Sequence, residues 1–544
     1  MSQSCSSSKL SFTAGPIEQQ LLKSFEVDSP RLSPQERQRR RTAFRNFRSL
    51  YHRKCDLTGA SIISMYRDNA PFPVYDSEAW WTDRWSAQDY ALEYDPTRPF
   101  LEQYLELSNL VPRTAMWINS SENCKYSNLC HQSRNCYMVF GCVRSENCLH
   151  GHIIWDSNNC LDGLYLLRCE WCSNGVDLVD CYELHYSQEC TSCRESMFLY
   201  DCQGCSNCFG SFNLRNKKYV FFNEQCSKEQ YQKNISELLP LTANKIVVIR
   251  NRLKEALVSS GIFPEFYGVK NEDVTGNHIY ESKLAESCFD TKRSENVANC
   301  FTVSSVEDSS EISFTGSGAR FSYNSLTIAN SERVVCGQGL SDCADIAYSE
   351  FCASSRDLIG CNGLKRAQYC ILNKQYSKDE YLGLRAKIVS ELKTEGRWGE
   401  YFPPSFSPFG YNESIAQEYM PLDRSQAVAL GYNWYDGERP VLDSKGAVAL
   451  EDEYNYSDAV GQTFICSESG KPYRFSQAEV QFCHRFSLPL SKLSADVRHL
   501  QRMRQRGERK LSPAVCKLCA KPVLTANSDK QNLLCEGCYL ENIR

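Results

Sequence analysis

Residues 123–148 read NCKYSNLCHQSRNCYMVFGCVRSENC, and the spacing of their cysteines decides how the chain folds. Cysteine stands at 124, 130, 136, 142 and 148 and again at 160, 172, 190, 202 and 208, every interval a multiple of six. A second set, Cys169, Cys181, Cys193 and Cys205, lies three residues out of phase and continues a column begun by Ser133, Ser145 and Ser157. The period is therefore twelve. Asparagine keeps it as well, at Asn123, Asn135, Asn147, Asn159 and Asn207. Small residues at every third position fit neither a helix, which repeats every 3.6 residues, nor a half-buried strand, which alternates every two. They predict a β-solenoid in which identical residues stack at about 4.8 Å per coil. Cysteine, serine and glycine would line a narrow lumen, and stacked asparagines would hydrogen-bond along the axis. Ile154, Leu166, Leu178 and Leu184 are large for that lumen and point to a wider cross-section. A coil of about twenty-four residues, with twelve as its half-turn, is the alternative.

In its C-x-x-S-x-x-C spacing the stretch resembles the twelve-residue solenoids of insect antifreeze proteins. The resemblance reaches the coil and not the activity, because Lys125, Tyr137, Leu149 and Leu161 follow the column cysteines where an ice-binding face would carry threonine.

Working outward, a second copy appears. Leu214, Tyr219, Asn223, Gln225, Ser227, Lys228 and Tyr231 match Leu364, Tyr369, Asn373, Gln375, Ser377, Lys378 and Tyr381 at an offset of 150. Ser227 with Gln230, and Ser377 with Glu380, are capping-box signatures for a helix after each repeat region. Cys288, Cys300 and Cys336 keep the beat in the second region, one extra residue shifts it, and Cys343, Cys352 and Cys361 resume it. Fewer cysteines hold the same register there, so the lumen requires small residues, not thiol chemistry.

The two ends are also copies. At an offset of 461, Arg37, Arg41, Arg45 and Arg48 fall on Arg498, Arg502, Arg506 and Arg509, and Cys55 falls on Cys516. Each is a basic helix running into a cysteine knuckle. Cys516-x-x-Cys519 and Cys535-x-x-Cys538 form two C-x-x-C pairs, the spacing that places four thiolates around one zinc in a closed structural site. In the first copy Cys55-x-x-Thr58 replaces one pair and Asp76 and Ala79 the other, so no zinc is expected. Trp80, Trp81, Trp85 and Tyr90 follow and read as a cap over an open solenoid end. Cys466-x-x-Ser469 looks like another half-lost knuckle.

The 544 residues carry thirty cysteines and a net charge of only −5. With no apolar run of eighteen residues and no apolar leader, the expectation is a cytoplasmic protein, no membrane partner, and lumen cysteines packed as reduced thiols. The expected division is a disordered tail over 1–30; basic helix, degenerate ribbon and Trp/Pro-rich cap over 31–113; cysteine-rich solenoid over 114–226; and helices over 227–268. A second solenoid over 269–376, a helix over 377–400, an irregular connector over 401–460, a degenerate knuckle over 461–500, and a basic helix with zinc ribbon over 501–544 complete it. The class is mainly β.

The segments RKCDLTGASIISMY, PVYDSEAWW, NCYMVFGC, NLRNKKY, PPSFSPFGYNESIAQEY, ESGKPYRF and CEGCY resemble those of uncharacterised cysteine-rich proteins from ultra-small bacterial lineages. Members of that family carry a C-P-x-C-R motif before each basic helix, where this chain has Ser33 to Arg37 and Ser494 to Arg498. The resemblance implies the architecture and at most one zinc, and it brings no known activity.

For function, the leading expectation is a non-enzymatic scaffold that binds nucleic acid or a ribonucleoprotein through Arg37, Arg41, Arg45, Arg48, Arg498, Arg502, Arg506 and Arg509. The bland reading of those runs is a solvated helix face, or pairing with acids elsewhere. The alternative is a protein-binding or assembly scaffold using the solenoid face. An enzyme or a thiol and metal reservoir lies further out. His150, His152, Asp156 and Asp162 come nearest to a catalytic cluster, and they read as outer-face or turn residues.

Overall fold

The structure, a computed structural model, describes residues 3–437, 442–452, 454–527 and 531–543. Parts of the expected tail, connector and C-terminal ribbon lie outside these described residues. Strands dominate, and the large sheets are built from parallel pairs. In the first repeat region one ladder runs Asn128, Phe140, His152, Leu164, Val176, Gln188, Tyr200, each residue paired with the one twelve positions on. A second ladder runs Tyr182, Arg194, Ser206, Lys218 with the same step. One turn of chain thus takes twelve residues and not twenty-four.

Its local geometry has a period of three. Every third residue from Ser120 to Tyr219 has a positive φ, between 47° and 58° at the non-glycine positions. Each turn is therefore four short sides, two extended residues and one left-handed residue apiece. Asparagine tolerates the left-handed region better than most side chains. This gives the asparagine column a second cause beside its ladder, in which Asn123, Asn135 and Asn147 donate side-chain bonds of 2.9, 3.3 and 3.1 Å to Asn135, Asn147 and Asn159.

The residue after each left-handed one points inward. Cys136, Cys142, Cys148, Cys160, Cys172 and Cys190 are buried there, with the serine column between them. Ser145 receives the N–H of Ser157 at 3.1 Å and donates to the carbonyl of Val143 at 3.0 Å; Cys148 donates to Glu146 at 3.3 Å. Thiol and hydroxyl do the same job, so either satisfies the backbone inside. The large residues do not widen the turn. Gly151, Gly163 and Gly175 stand three places before Ile154, Leu166 and Leu178, and a Cβ at each glycine would lie 2.0, 2.3 and 2.4 Å from that side chain.

The second region forms a fourteen-stranded sheet with the same twelve-residue step. Two ten-residue strands, Lys283–Lys292 and Val306–Thr315, run through a corner and, with Glu295–Ala298 and Phe301–Ser304, close a four-strand ring. The extra residue lies just after it, where Val306 pairs with Ala319 and Ser310 with Tyr323 before the step returns to twelve at Ala319 and Ser331.

The two stacks lie side by side in opposite directions. Going forward along the first, Trp117 meets Phe351, Tyr165 meets Thr302, Glu189 meets His278, and Tyr200 meets Tyr267. Much of the contact is made by one left-handed column from each stack, with Tyr165 and Glu189 on one side and His278, Thr302 and Phe351 on the other. Half of this seam is apolar, with Ile153, Phe314 and Gly339; the other half holds Asp177, Glu189, His278 and Asp290.

Residues 3–30 do not form the disordered tail expected. They make a small hairpin and the helix Pro16–Ser24, whose Leu21 and Leu22 are buried and whose Ile17 N–H donates to Glu286 at 2.9 Å. Their signal was the same copy at 461, which reaches back from Cys466 to Cys5. The tryptophan segment does cover an end, that of the second stack: Leu92 N–H donates to Leu372, and Asn373 donates to the carbonyl of Ala87. The helices Lys228–Leu238 and Lys378–Thr394 start where the caps predicted. No helix among the described residues is long and apolar enough to cross a membrane.

Candidate metal centre and the buried arginines

The ligand atoms of Cys516, Cys519, Cys535 and Cys538 all lie within 4.8 Å of one another, so the cluster could hold a metal ion. Sequence builds it locally. The hairpin Ser512–Val515 with Pro522–Thr525 closes on a turn in which Cys516 N–H donates to Lys521 and Ala520 N–H to Cys516, with Ala520 left-handed. Cys535 caps the helix Glu536–Asn542. Burial opposes a thiolate at Cys516, yet the N–H groups of Cys519, Cys535 and Leu518 bring its pKa down to about 6, the charge state a metal ligand needs.

The same turn occurs at three other cysteines. Cys5, Cys55 and Cys466 donate to Leu10, Ala60 and Lys471, and receive Lys9, Gly59 and Gly470, all left-handed. Each sulfur accepts an N–H from the residue capping a nearby helix: Ser33 at 3.3 Å, Asp76 at 3.2 Å and Ser494 at 3.4 Å. The backbone of the knuckle has outlived its ligands. Position by position, the serine or aspartate cap stands where the ribbon at Cys516 has Cys535.

The eight arginines do not face solvent. Arg37 donates to Glu311 at 3.0 Å and pairs with Glu18, while Arg41 pairs with Glu311 and donates to Asn324 at 2.8 Å. Arg498 reaches Asp162 and Glu479, each at 2.7 Å, and Arg502 reaches Asp162 at 3.2 Å. Arg506 bridges Asp177, at 2.8 Å, and Asp290; Arg509 pairs with Asp290 and lies 3.9 Å over the Tyr419 ring. Arg45 lies over Phe47 and Phe314 with no carboxylate partner among the described residues, and burial lowers its pKa to about 9. Arg48 pairs with Asp496 at 2.9 Å and covers Phe140. Arg41 and Arg502 expose none of their side-chain surface, and Arg506 and Arg509 only 7%.

This corrects the expectation that the basic helices present arginine to phosphate. The helix Pro34–Thr42 lies on the second stack and Ala495–Arg506 on the first, with Arg37, Arg41, Arg498, Arg502 and Arg506 turned inward onto buried carboxylates and Arg504 left exposed. Arg45 and Arg48 follow the end of their helix. Buried charge is tolerated only when paired. Burial disfavours ionised Glu479, but Arg498 and His150 hold its pKa down at about 2. Asp290 behaves likewise: burial opposes its charge, and Arg506 and Arg509 keep it well below the usual carboxylate range.

Glu189 and His278, on the same seam, shift upward instead. Burial raises Glu189 to about 7, and His278, which burial alone would depress, is raised by Glu189 and Asp177. The four residues nearest to a catalytic cluster are dispersed. His150 pairs with Glu479 at 3.0 Å, Asp162 with the arginines, and Asp156 with Arg144 at 2.6 Å on the outer face. His150, His152 and Asp162 are interior, under the C-terminal basic helix, and not on the outer face. The carboxylates that receive the arginines carried no local signal: Glu311 sits in a column with Ser287, Asn299 and Asn324, and Asp162 in one with Met138, His150, Asn174 and Tyr186.

No family model, curated protein or solved structure matches the chain.

Proposed function

We propose that the chain is a non-enzymatic, zinc-containing scaffold: two twelve-residue β-solenoids held side by side by ribbon modules, with zinc on Cys516, Cys519, Cys535 and Cys538, engaging protein partners through its outer faces. The observation that carries this reading over nucleic-acid binding is the inward pairing of the arginines, which removes the phosphate-contacting set. The exposed rungs do not replace it. Arg134 pairs with Glu146, Arg144 with Asp156 and Arg333 with Asp345, each along the stacking direction, so these rungs are neutralised pairs and do not add up to a basic stripe. Apolar contact is available on the helix Ala243–Ser260, where Val247, Val248 and Val258 stand exposed. The resemblance to the cysteine-rich family supports the architecture, since the quoted RKCDLTGA, ESGKPYRF and CEGCY segments all belong to knuckles.

The test is binding of the reduced, zinc-loaded protein to labelled double-stranded DNA and structured RNA across a salt series. The scaffold reading expects no tight complex at low salt. Tight binding that weakens steeply with salt would overturn it and restore the nucleic-acid reading.

A further inference from the structure

A second group of ligand atoms lies far from the cysteine cluster in sequence. His152, Glu418 and His499 bring theirs within 4.8 Å of one another, from three separate elements. His152 opens a strand of the first stack, His152–Trp155; Glu418 is on the short helix Ile415–Tyr419; His499 is on the basic helix Ala495–Arg506. Glu418 accepts from, or donates to, His499 Nε2 at 2.9 Å. The two imidazole rings lie 4.8 Å apart, centre to centre.

His152 is the anomaly. It is 0% exposed, and neither ring nitrogen has a hydrogen-bond partner among the described residues; Nδ1 of His499, itself 1% exposed, has none there either. A buried polar nitrogen without a partner costs about 1–3 kcal/mol. Two imidazoles and a carboxylate are a donor set for zinc-like cations. The nearby guanidiniums are each matched by an acid, Arg48 by Asp496, Arg502 by Asp162 and Arg509 by Asp290, so they do not confront a cation at full charge.

We propose that His152, Glu418 and His499 bind a divalent transition-metal ion of the zinc type, which ties the connector and the C-terminal basic helix to the first stack. The copy at the other end of the molecule lacks it. Position 499 corresponds to Gln38, and the offset that carries Asp162 to Glu311 carries His152 to Phe301. The site is thus an addition to one half and no requirement of the shared architecture. It is independent of the four-cysteine cluster and of the scaffold reading.

The experiment is metal content per chain for the purified full-length protein and three variants: Cys519→Ser with Cys538→Ser, His152→Phe, and Glu418→Gln. The wild type should carry a second equivalent beyond the one the cysteines hold, and both His152→Phe and Glu418→Gln should lose one equivalent only. The phenylalanine is the residue the second stack already accommodates, and a circular dichroism spectrum unchanged from wild type confirms folding. Cobalt(II) added to the double cysteine variant gives the second readout. It should produce ligand-field bands without thiolate charge transfer, and these should vanish when Glu418→Gln is added. Wild-type content of a single equivalent, lost entirely in the cysteine variant, would overturn the proposal. So would metal content unchanged in both folded His152 and Glu418 variants.

Discussion

The ribbon at Cys55 and the ribbon at Cys516 share a backbone and differ in what holds it. Each pairs its return strand with the strand that enters a stack, Val74–Tyr75 with Arg113–Thr114 and Leu533–Leu534 with Phe263–Pro264. At Cys516 four sulfurs gather, and Val515, Leu518, Leu524 and Leu540 around them are exposed, while Val523, Leu533, Leu534 and Tyr539 are buried toward Phe263. At Cys55 a single sulfur remains, buried with Tyr75, Trp80 and Phe351 against Trp85 and Trp117. The Trp80 indole N–H donates to the carbonyl of Pro112 at 3.0 Å. A tryptophan cluster stands where the other ribbon gathers its four sulfurs. Small folding units need one or the other, because too little surface is buried for the backbone to hold alone.

Chelation is the strongest way to break this comparison. Structural zinc in isolated finger peptides is worth about 10 kcal/mol or more, so removing metal should open residues 512–543 to hydrogen exchange while 51–81 stays protected. Equal opening of both ribbons would mean that they do not differ in what stabilises them. The converse variant, Trp80→Ala, should destabilise the N-terminal ribbon by about 3–5 kcal/mol in denaturant titration and leave metal affinity at the four-cysteine cluster unchanged.

The docking of the helices sharpens the comparison, because there the two copies agree. Glu311→Ala strands Arg41 and leaves Arg37 on Glu18 alone, and Asp162→Ala strands Arg502 and leaves Arg498 on Glu479 alone; each should cost about 3–5 kcal/mol, read from the denaturation midpoint. A surface role for these arginines predicts almost no change in either.

The seam should show a pH dependence confined to its charged half. Glu189, raised by burial to about 7, binds its proton more tightly folded than unfolded, where a glutamate titrates near about 4.3. Stability from this group is present at low pH and is lost as pH climbs through about 7, by roughly 1–3 kcal/mol, and raised His278 acts in the same direction. Glu189→Gln should flatten the melting-temperature profile between these values; a profile as steep as wild type would refute the assignment. At the small end, Arg134→Ala removes an exposed rung to Glu146 and should change stability by no more than about 0.5 kcal/mol.

Much of the fold was legible because its rules are local and repeated. Cys124 to Cys208 spell the twelve-residue step, Ser377 and Glu380 mark a helix start, and Cys516 to Cys538 spell a metal cluster. Other features were misread where the same residue serves two purposes. Leu166 suggested a wide lumen until Gly163 is seen to make room for it. Ser2 to Ser8 looked like a polar tail, although Cys5 heads a knuckle whose copy lies at Cys466. The pairing of His152 with His499 and Glu418 has no sequence signature, since the three come from segments at least 81 residues apart.

Residue order alone sets the step of the stacks, the doubling of each part, and where four thiols can meet, because each follows from spacing along the chain. Which way the arginines point is settled by folding. A run of arginine reads the same whether it faces water or a carboxylate, and the carboxylates here, Glu311, Asp162, Asp177 and Asp290, meet the arginines only once each helix has docked on its stack. The free energy of a buried charge depends on its partner, and that partner arrives from a distant part of the chain.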